Sequence, residues 1–245
     1  MIATKFAPGL VAAAALLAAA TPAFAQAPSP ATSKFFVNAN VGGQLASRTF
    51  DSTTSKTVYE EPATFKATYP IGTGVLFDFG GGYRVFGDVY VGLTISTFSK
   101  TGDSTTAAVI PDPVVFDRPK AVAGTATGLK HSEMAIIPQI IWAYPLTGKL
   151  DVAAGIGPAF VHLSQDVVSS FTVADRTQNV TPVITTQTGN GTGVAATLDL
   201  TYGINDRIGV GGFARFAPAK VQIDATADKI NVGGMQAGAG IRLRF

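Results

Sequence analysis

The chain ends Gly234-Met235-Gln236-Ala237-Gly238-Ala239-Gly240-Ile241-Arg242-Leu243-Arg244-Phe245, and this stretch decides the fold class. Met235, Ala237, Ala239, Ile241, Leu243 and Phe245 alternate with Gly234, Gln236, Gly238, Gly240, Arg242 and Arg244. A period of two marks an extended strand whose successive side chains point to opposite faces. The same alternation runs through Phe35, Val37, Ala39, Val41 and Leu45 against Phe36, Asn38, Asn40, Gly42 and Gln44. It returns where Leu198, Leu200 and Tyr202 oppose Thr197, Asp199 and Thr201.

Alternation alone also fits a soluble sandwich or a lipocalin-like barrel, whose polar face would be wet and rich in Lys and Glu. Here the polar face is mostly Gly, Asn, Thr, Ser and Gln. Small uncharged side chains suit the cramped inside of a narrow barrel, and rows of Leu, Ile, Val and aromatics suit lipid. The pattern is therefore inside-out relative to a soluble protein.

At the other end, Lys5 precedes an apolar run of mostly Ala and Leu over residues 10–20, then Pro22 and the small-residue site Ala23-Phe24-Ala25. This is the layout of a secretory signal peptide, with cleavage expected after Ala25; an uncleaved anchor is the alternative. The run is shorter than the roughly 20 residues a spanning helix needs. We therefore expect a signal peptide at 1–25, a flexible segment at 26–33 and one β-barrel domain at 34–245. The absence of Cys, 27 Gly and only 14% charged residues are unusual for a soluble secreted fold. The formal charge of +2 is spread along the chain, which argues against a nucleic-acid footprint.

Membrane barrels join strands by tight periplasmic turns and longer extracellular loops. Tight turn signals lie at 84–88, 145–149 and 203–207, and longer polar stretches at 51–62, 101–130, 164–192 and 218–228. Three turns and four loops join eight strands, read over 35–50, 65–85, 88–99, 132–144, 150–163, 193–202, 207–217 and 231–245. Ten strands are the alternative, with a further pair near 58–69 or in a long loop. The β-branched content of 101–130 and 164–192 is compatible with short hairpins projecting above the membrane.

Aromatics gather beside the turns: Tyr83, Phe86, Trp142, Tyr144 and Tyr202. Amphipathic rings prefer membrane interfaces, so these read as a periplasmic girdle. The ending Gly240-Ile241-Arg242-Leu243-Arg244-Phe245, taken with Asp78-Phe79-Gly80-Gly81-Gly82-Tyr83-Arg84, resembles the small outer-membrane β-barrel domain family of OmpA/OmpX type. The stretches 117–130 and 155–160 resemble a branch of it. The resemblance implies an eight-stranded up-and-down barrel in the outer membrane of a Gram-negative cell. It also implies a C-terminal signal (Ile241, Leu243, Phe245) for the barrel assembly machinery, and outer-membrane lipids and lipopolysaccharide as surroundings.

Six ions fall on the polar, lumen-facing registers: Asp78, Arg84, Asp199, Arg215, Arg242 and Arg244. Buried ions need partners, so one reading is a charge network that fills the lumen; a narrow pore for small solutes or ions is the other. Catalysis is weighed because some eight-stranded outer-membrane barrels modify lipid A. His131-Ser132-Glu133 looks like a triad in print, but neighbouring strand residues point to opposite faces. His162 and Ser164 share a face, yet a nucleophile and base need a third group, and Asp166 and Asp175 are the only candidates at hand. The glycines of Gly209-Val210-Gly211-Gly212 mimic a dinucleotide fingerprint, but no helix pattern follows them. With two His and no Cys, no metal spacing is legible and no cofactor is implied. The expectation is a non-enzymatic barrel with an envelope-structural or surface-interaction role, its loop partner unspecified.

Overall fold

Every strand pairing among the described residues is antiparallel. The computed structural model describes residues 33–112, 114–115, 117–174, 180–226 and 229–245. The proposed signal peptide, the segment after it up to residue 32, and Asp175 lie outside the described residues. The strands are β1 (Phe35–Gln44), β2 (Arg48–Val58), β3 (Glu61–Ile71), β4 (Gly74–Phe86), β5 (Val89–Ile110), β6 (Lys120–Pro145), β7 (Leu150–Val173), β8 (Val180–Gly203), β9 (Ile208–Val221) and β10 (Ile230–Arg244).

Eight of them close a ring in the order β1-β4-β5-β6-β7-β8-β9-β10, with β10 paired back to β1 from Phe36↔Arg244 to Gln44↔Gln236. The last residue completes the seam: Phe245 N–H donates to Phe35 O at 2.8 Å, and Phe35 N–H donates to Phe245 O at 3.1 Å. Closure leaves no open edge within the ring, the condition for a sheet to sit in lipid. The three tight turns fall where the sequence places them, between β4 and β5, β6 and β7, and β8 and β9.

The extracellular half departs from the expected loops. Residues 51–62 belong to a hairpin, β2–β3, paired from Arg48↔Ile71 to Val58↔Glu61. This hairpin is not part of the ring; β3 docks on the upper part of β5 from Thr64↔Val109 to Thr68↔Thr105. The strands expected over 35–50 and 65–85 are therefore each broken, at 45–47 and 72–73. Ten strands are present among the described residues, and eight of them close the ring. Most of 101–130 and 164–192 continues the barrel wall, since the β7–β8 ladder runs from Leu150↔Tyr202 to Val173↔Val180. At the hairpin, Lys66 Nζ lies 2.7 Å from Asp51 and Thr68 Oγ1 donates to it at 2.7 Å. Lys66, and then Thr68, hold the Asp51 carboxyl below its ordinary range.

Side-chain parity sets the wall. Phe77, Phe79, Ile140, Ile156 and Val194 each expose between 59% and 61% of their surface, while Asp78, Arg215 and Arg242 expose 2–4%. On β4 the outward apolar row runs from Val75 through Phe77, Phe79 and Tyr83 to Val85, which matches a tilted membrane-spanning strand of about 9–11 residues. In the β6–β7 ladder, pairing stops between Ile136↔Phe160 and Ile140↔Ile156, where Pro138 and Pro158 supply no N–H.

Backbone geometry and close packing together require a glycine at position 233. Gly233 in β10 has φ +70°, and a Cβ there would lie 1.9 Å from Ala217 O. Gly233→Ala is expected to cost about 1–3 kcal/mol for the left-handed backbone alone. Gly72→Ala, with nothing within 4 Å, serves as the control. The check is the urea midpoint of heat-modifiable gel migration, which should fall for the first and hold for the second.

Candidate functional site: the ionic lumen

Inward positions near the periplasmic end carry most of the barrel's buried ions. Arg215 on β9 reaches Asp78 on β4 at 2.7 Å, with side chains 2% and 1% exposed. The remaining Asp78 oxygen accepts from Asn40 Nδ2 at 2.9 Å. Arg215 also donates Nε–H to Thr197 Oγ1 at 3.2 Å. One layer below, Arg242 on β10 donates to both oxygens of Asp199 on β8 and to Asn40 Oδ1, and Thr201 Oγ1 donates to Asp199 at 2.8 Å. At the bottom, Arg244 donates to Asp151 on β7 at 2.7 Å. Asn40 thus links two ion pairs into one network, and charge-assisted bonds in such a setting are stronger than neutral ones.

Asp78, Asp199, Arg215, Arg242 and Arg244 are brought together here. Arg84 stands apart at the periplasmic mouth, 3.5 Å from Asp88 and 5.9 Å above the Tyr90 ring. Two partners escaped the sequence reading: Asp151, which lies beside a turn, and Asn40, an amide in a row of amides. The network borders a cavity of about 90 Å³ onto which Asn38, Asp151 and Arg244 also face. That is room for several waters and not for a wide solute path.

Above the network the lumen is shut by alternating layers. Leu76, Phe98, Ile71 and Phe213 form an apolar layer, and Ile137, Ala159, Ala195 and Ala217 another. A second polar cluster follows. Arg48, the first residue of β2, crosses the lumen to Glu133 on β6 at 2.7 Å and donates to Gly233 O at 2.6 Å. Glu133 also accepts from Gly233 N–H at 2.8 Å and pairs with His131 Nε2 at 2.7 Å, while His131 Nδ1 meets Gln165. Above it, Tyr69, Leu163, Val167, Val221 and Val232 belong to a further apolar cluster. Phe65, Ile110 and Phe171 crown it.

His131 and Glu133 are therefore buried lumen residues, and Ser132 is exposed on the outer wall, as strand parity requires. His162 and Ser164 do share the outer face, but His162 Nδ1 is engaged by Asn190 Oδ1 at 2.8 Å. Asp166 is occupied by Lys130 N–H at 2.9 Å and Thr186 Oγ1 at 2.6 Å. Among the described residues no cluster of three or more His, Cys, Asp or Glu could hold a metal ion. Tyr83, Phe86, Trp142, Tyr144 and Tyr202 stand exposed on the outer wall at the periplasmic end, with Trp142 and Tyr144 ring centroids 6.0 Å apart. Ile241, Leu243 and Phe245 form one outward row.

An apolar outer wall, a closed ring of strands and an ion-paired interior together define a transmembrane β-barrel of the outer-membrane type. Among solved structures, the chain is similar to the outer membrane protein OprG from Pseudomonas aeruginosa, with TM-score 0.48 and 10% identity over 87% of this chain and 96% of that one. It is similar to Neisserial surface protein A, with TM-score 0.40 and 13% identity over 87% and 98% of the two chains. The outer membrane protease OmpT from Escherichia coli gives TM-score 0.38 and 9% identity over 89% and 100%. No family model matches the sequence. No curated protein matches it either. At these identities and overlaps the likeness says nothing of activity, and the class rests on wall and lumen.

Proposed function

We propose that this chain is an integral outer-membrane barrel without enzymatic activity, serving the envelope as a structural or surface-interaction element. The observation that carries this reading is the filled lumen. Six charged residues neutralise one another in three pairs across the interior, and apolar layers seal the extracellular side. The His162 imidazole bonds an amide where a catalytic base would need an orienting carboxylate. Its surroundings are outer-membrane lipids and lipopolysaccharide. The outward row Ile241, Leu243 and Phe245 acts as the signal for the barrel assembly machinery, and the five turn-side aromatics form the periplasmic girdle.

The long β5–β6 and β7–β8 ladders carry the wall beyond the apolar belt, presenting Thr, Ser and Val to the cell exterior on a rigid support. Binding residues concentrate on such elevated segments. In planar bilayers the purified protein is expected to show no discrete conductance steps. Reproducible steps whose size changes with Asp199→Asn would overturn the closed-lumen reading and establish a pore.

A further inference from the structure

On the outer wall, where β6, β7, β8 and β9 pass the extracellular end of the apolar belt, lies an open groove of about 530 Å³. Its lower part is apolar: Met134, Ile136 and Phe160, which expose 41%, 39% and 50%. Its upper part is polar and cationic, with His162, Lys220 and Lys229 exposed along it. The register explains the arrangement. Lys220 lies opposite Thr192, His162 opposite Asn190, and Met134 opposite His162, so greasy and basic side chains share one outward face across four strands.

Neither lysine has a carboxylate partner among the described residues. Lys66, on the hairpin above, is by contrast neutralised by Asp51 at 2.7 Å. No carboxylate lines the groove among the described residues. Two ammonium groups without a carboxylate partner among the described residues, at the level where hydrocarbon gives way to headgroups, attract anionic lipid. The His162 ring, anchored through Nδ1 to Asn190 at 2.8 Å, turns its other nitrogen free of that bond.

We infer that this groove binds a phosphorylated glycolipid of the outer leaflet, with acyl chains on Met134, Ile136 and Phe160 and a phosphate between Lys220 and Lys229. The inference rests on the membrane-barrel reading and names a particular lipid contact within it. The feature that selects this occupant is charge complementarity at a fixed membrane depth. A neutral lipid would use only the apolar floor, and a free phosphate only the lysines.

The experiment is native mass spectrometry of the full barrel in detergent, loaded with bisphosphorylated lipid A, with its dephosphorylated form, or with inorganic phosphate. The phosphorylated lipid is expected to be retained on the order of tenfold better than the dephosphorylated form, and the double variant Lys220→Gln/Lys229→Gln to lose that preference. Phe160→Ser should weaken both lipids alike. Equal retention of the two lipids by the unaltered chain, an unchanged preference in the double variant, or displacement of the lipid by inorganic phosphate would each overturn it. Heat-modifiable migration separates the two levels: a chain that does not show it refutes the membrane reading, and a chain that shows it without lipid preference refutes only the groove.

Discussion

Replacing Arg215 by Met is expected to lower barrel stability by about 3–5 kcal/mol, because it strands a buried carboxylate in the lumen. Asp78 would keep only its bond from Asn40 Nδ2 at 2.9 Å, with its side chain 1% exposed. Asp78→Leu should cost a similar amount by stranding the guanidinium instead. The informative variant is the pair Arg215→Met/Asp78→Leu. Replacing a whole buried ion pair by apolar side chains is often neutral or stabilising, so the double variant should recover most of the loss. Urea titration of heat-modifiable migration measures all three. Single variants indistinguishable from the unaltered chain, or a double variant whose loss is the sum of the singles, would show that the pair is not the closed unit described.

Ile156→Arg is the second large effect, and it tests the direction in which the wall faces. Ile156 lies midway along the membrane part of β7 and exposes 60% of its surface. On a water-soluble sheet, such a change on an exposed residue is close to neutral. In lipid, Arg near the bilayer midplane of a β-barrel costs about 2–4 kcal/mol, falling toward the interfaces. Thr188→Arg, on the exposed outer face of β8 and opposite Ser164, is the matched control and should change little. Folding yields into lipid vesicles read both. Tolerance of Arg at 156 equal to that at 188 would sink the assignment of the apolar rows to lipid.

The outer wall and the three short turns were legible along the chain because both are local. Strand parity is a two-residue rule, so Met235 to Phe245 already assigns Ile241 and Leu243 to one face and Arg242 and Arg244 to the other. Turn residues such as Gly148 and Asn205 announce themselves within five positions. The extracellular half was less legible. Polar, β-branched segments look alike whether they hang as loops or continue a ladder. Only the partner strand tells them apart, and besides β2 the partner of β3 is β5 and not its chain neighbour β4.

The lumen divides in the same way. That Asp78, Asp199, Arg215 and Arg242 face inward follows from parity. That Arg215 meets Asp78, 137 positions away, follows only from ring closure and the stagger of the strands. Arg48 at the start of the β2–β3 hairpin and Glu133 in the wall join a cluster that no stretch of sequence contains, because the chain must cross the lumen to build it. Sequence by itself determined which way each side chain points, since that is a property of the local backbone. Tertiary structure decided which ions meet and what seals the barrel, since contact across a lumen depends on how far every strand has slid against the next.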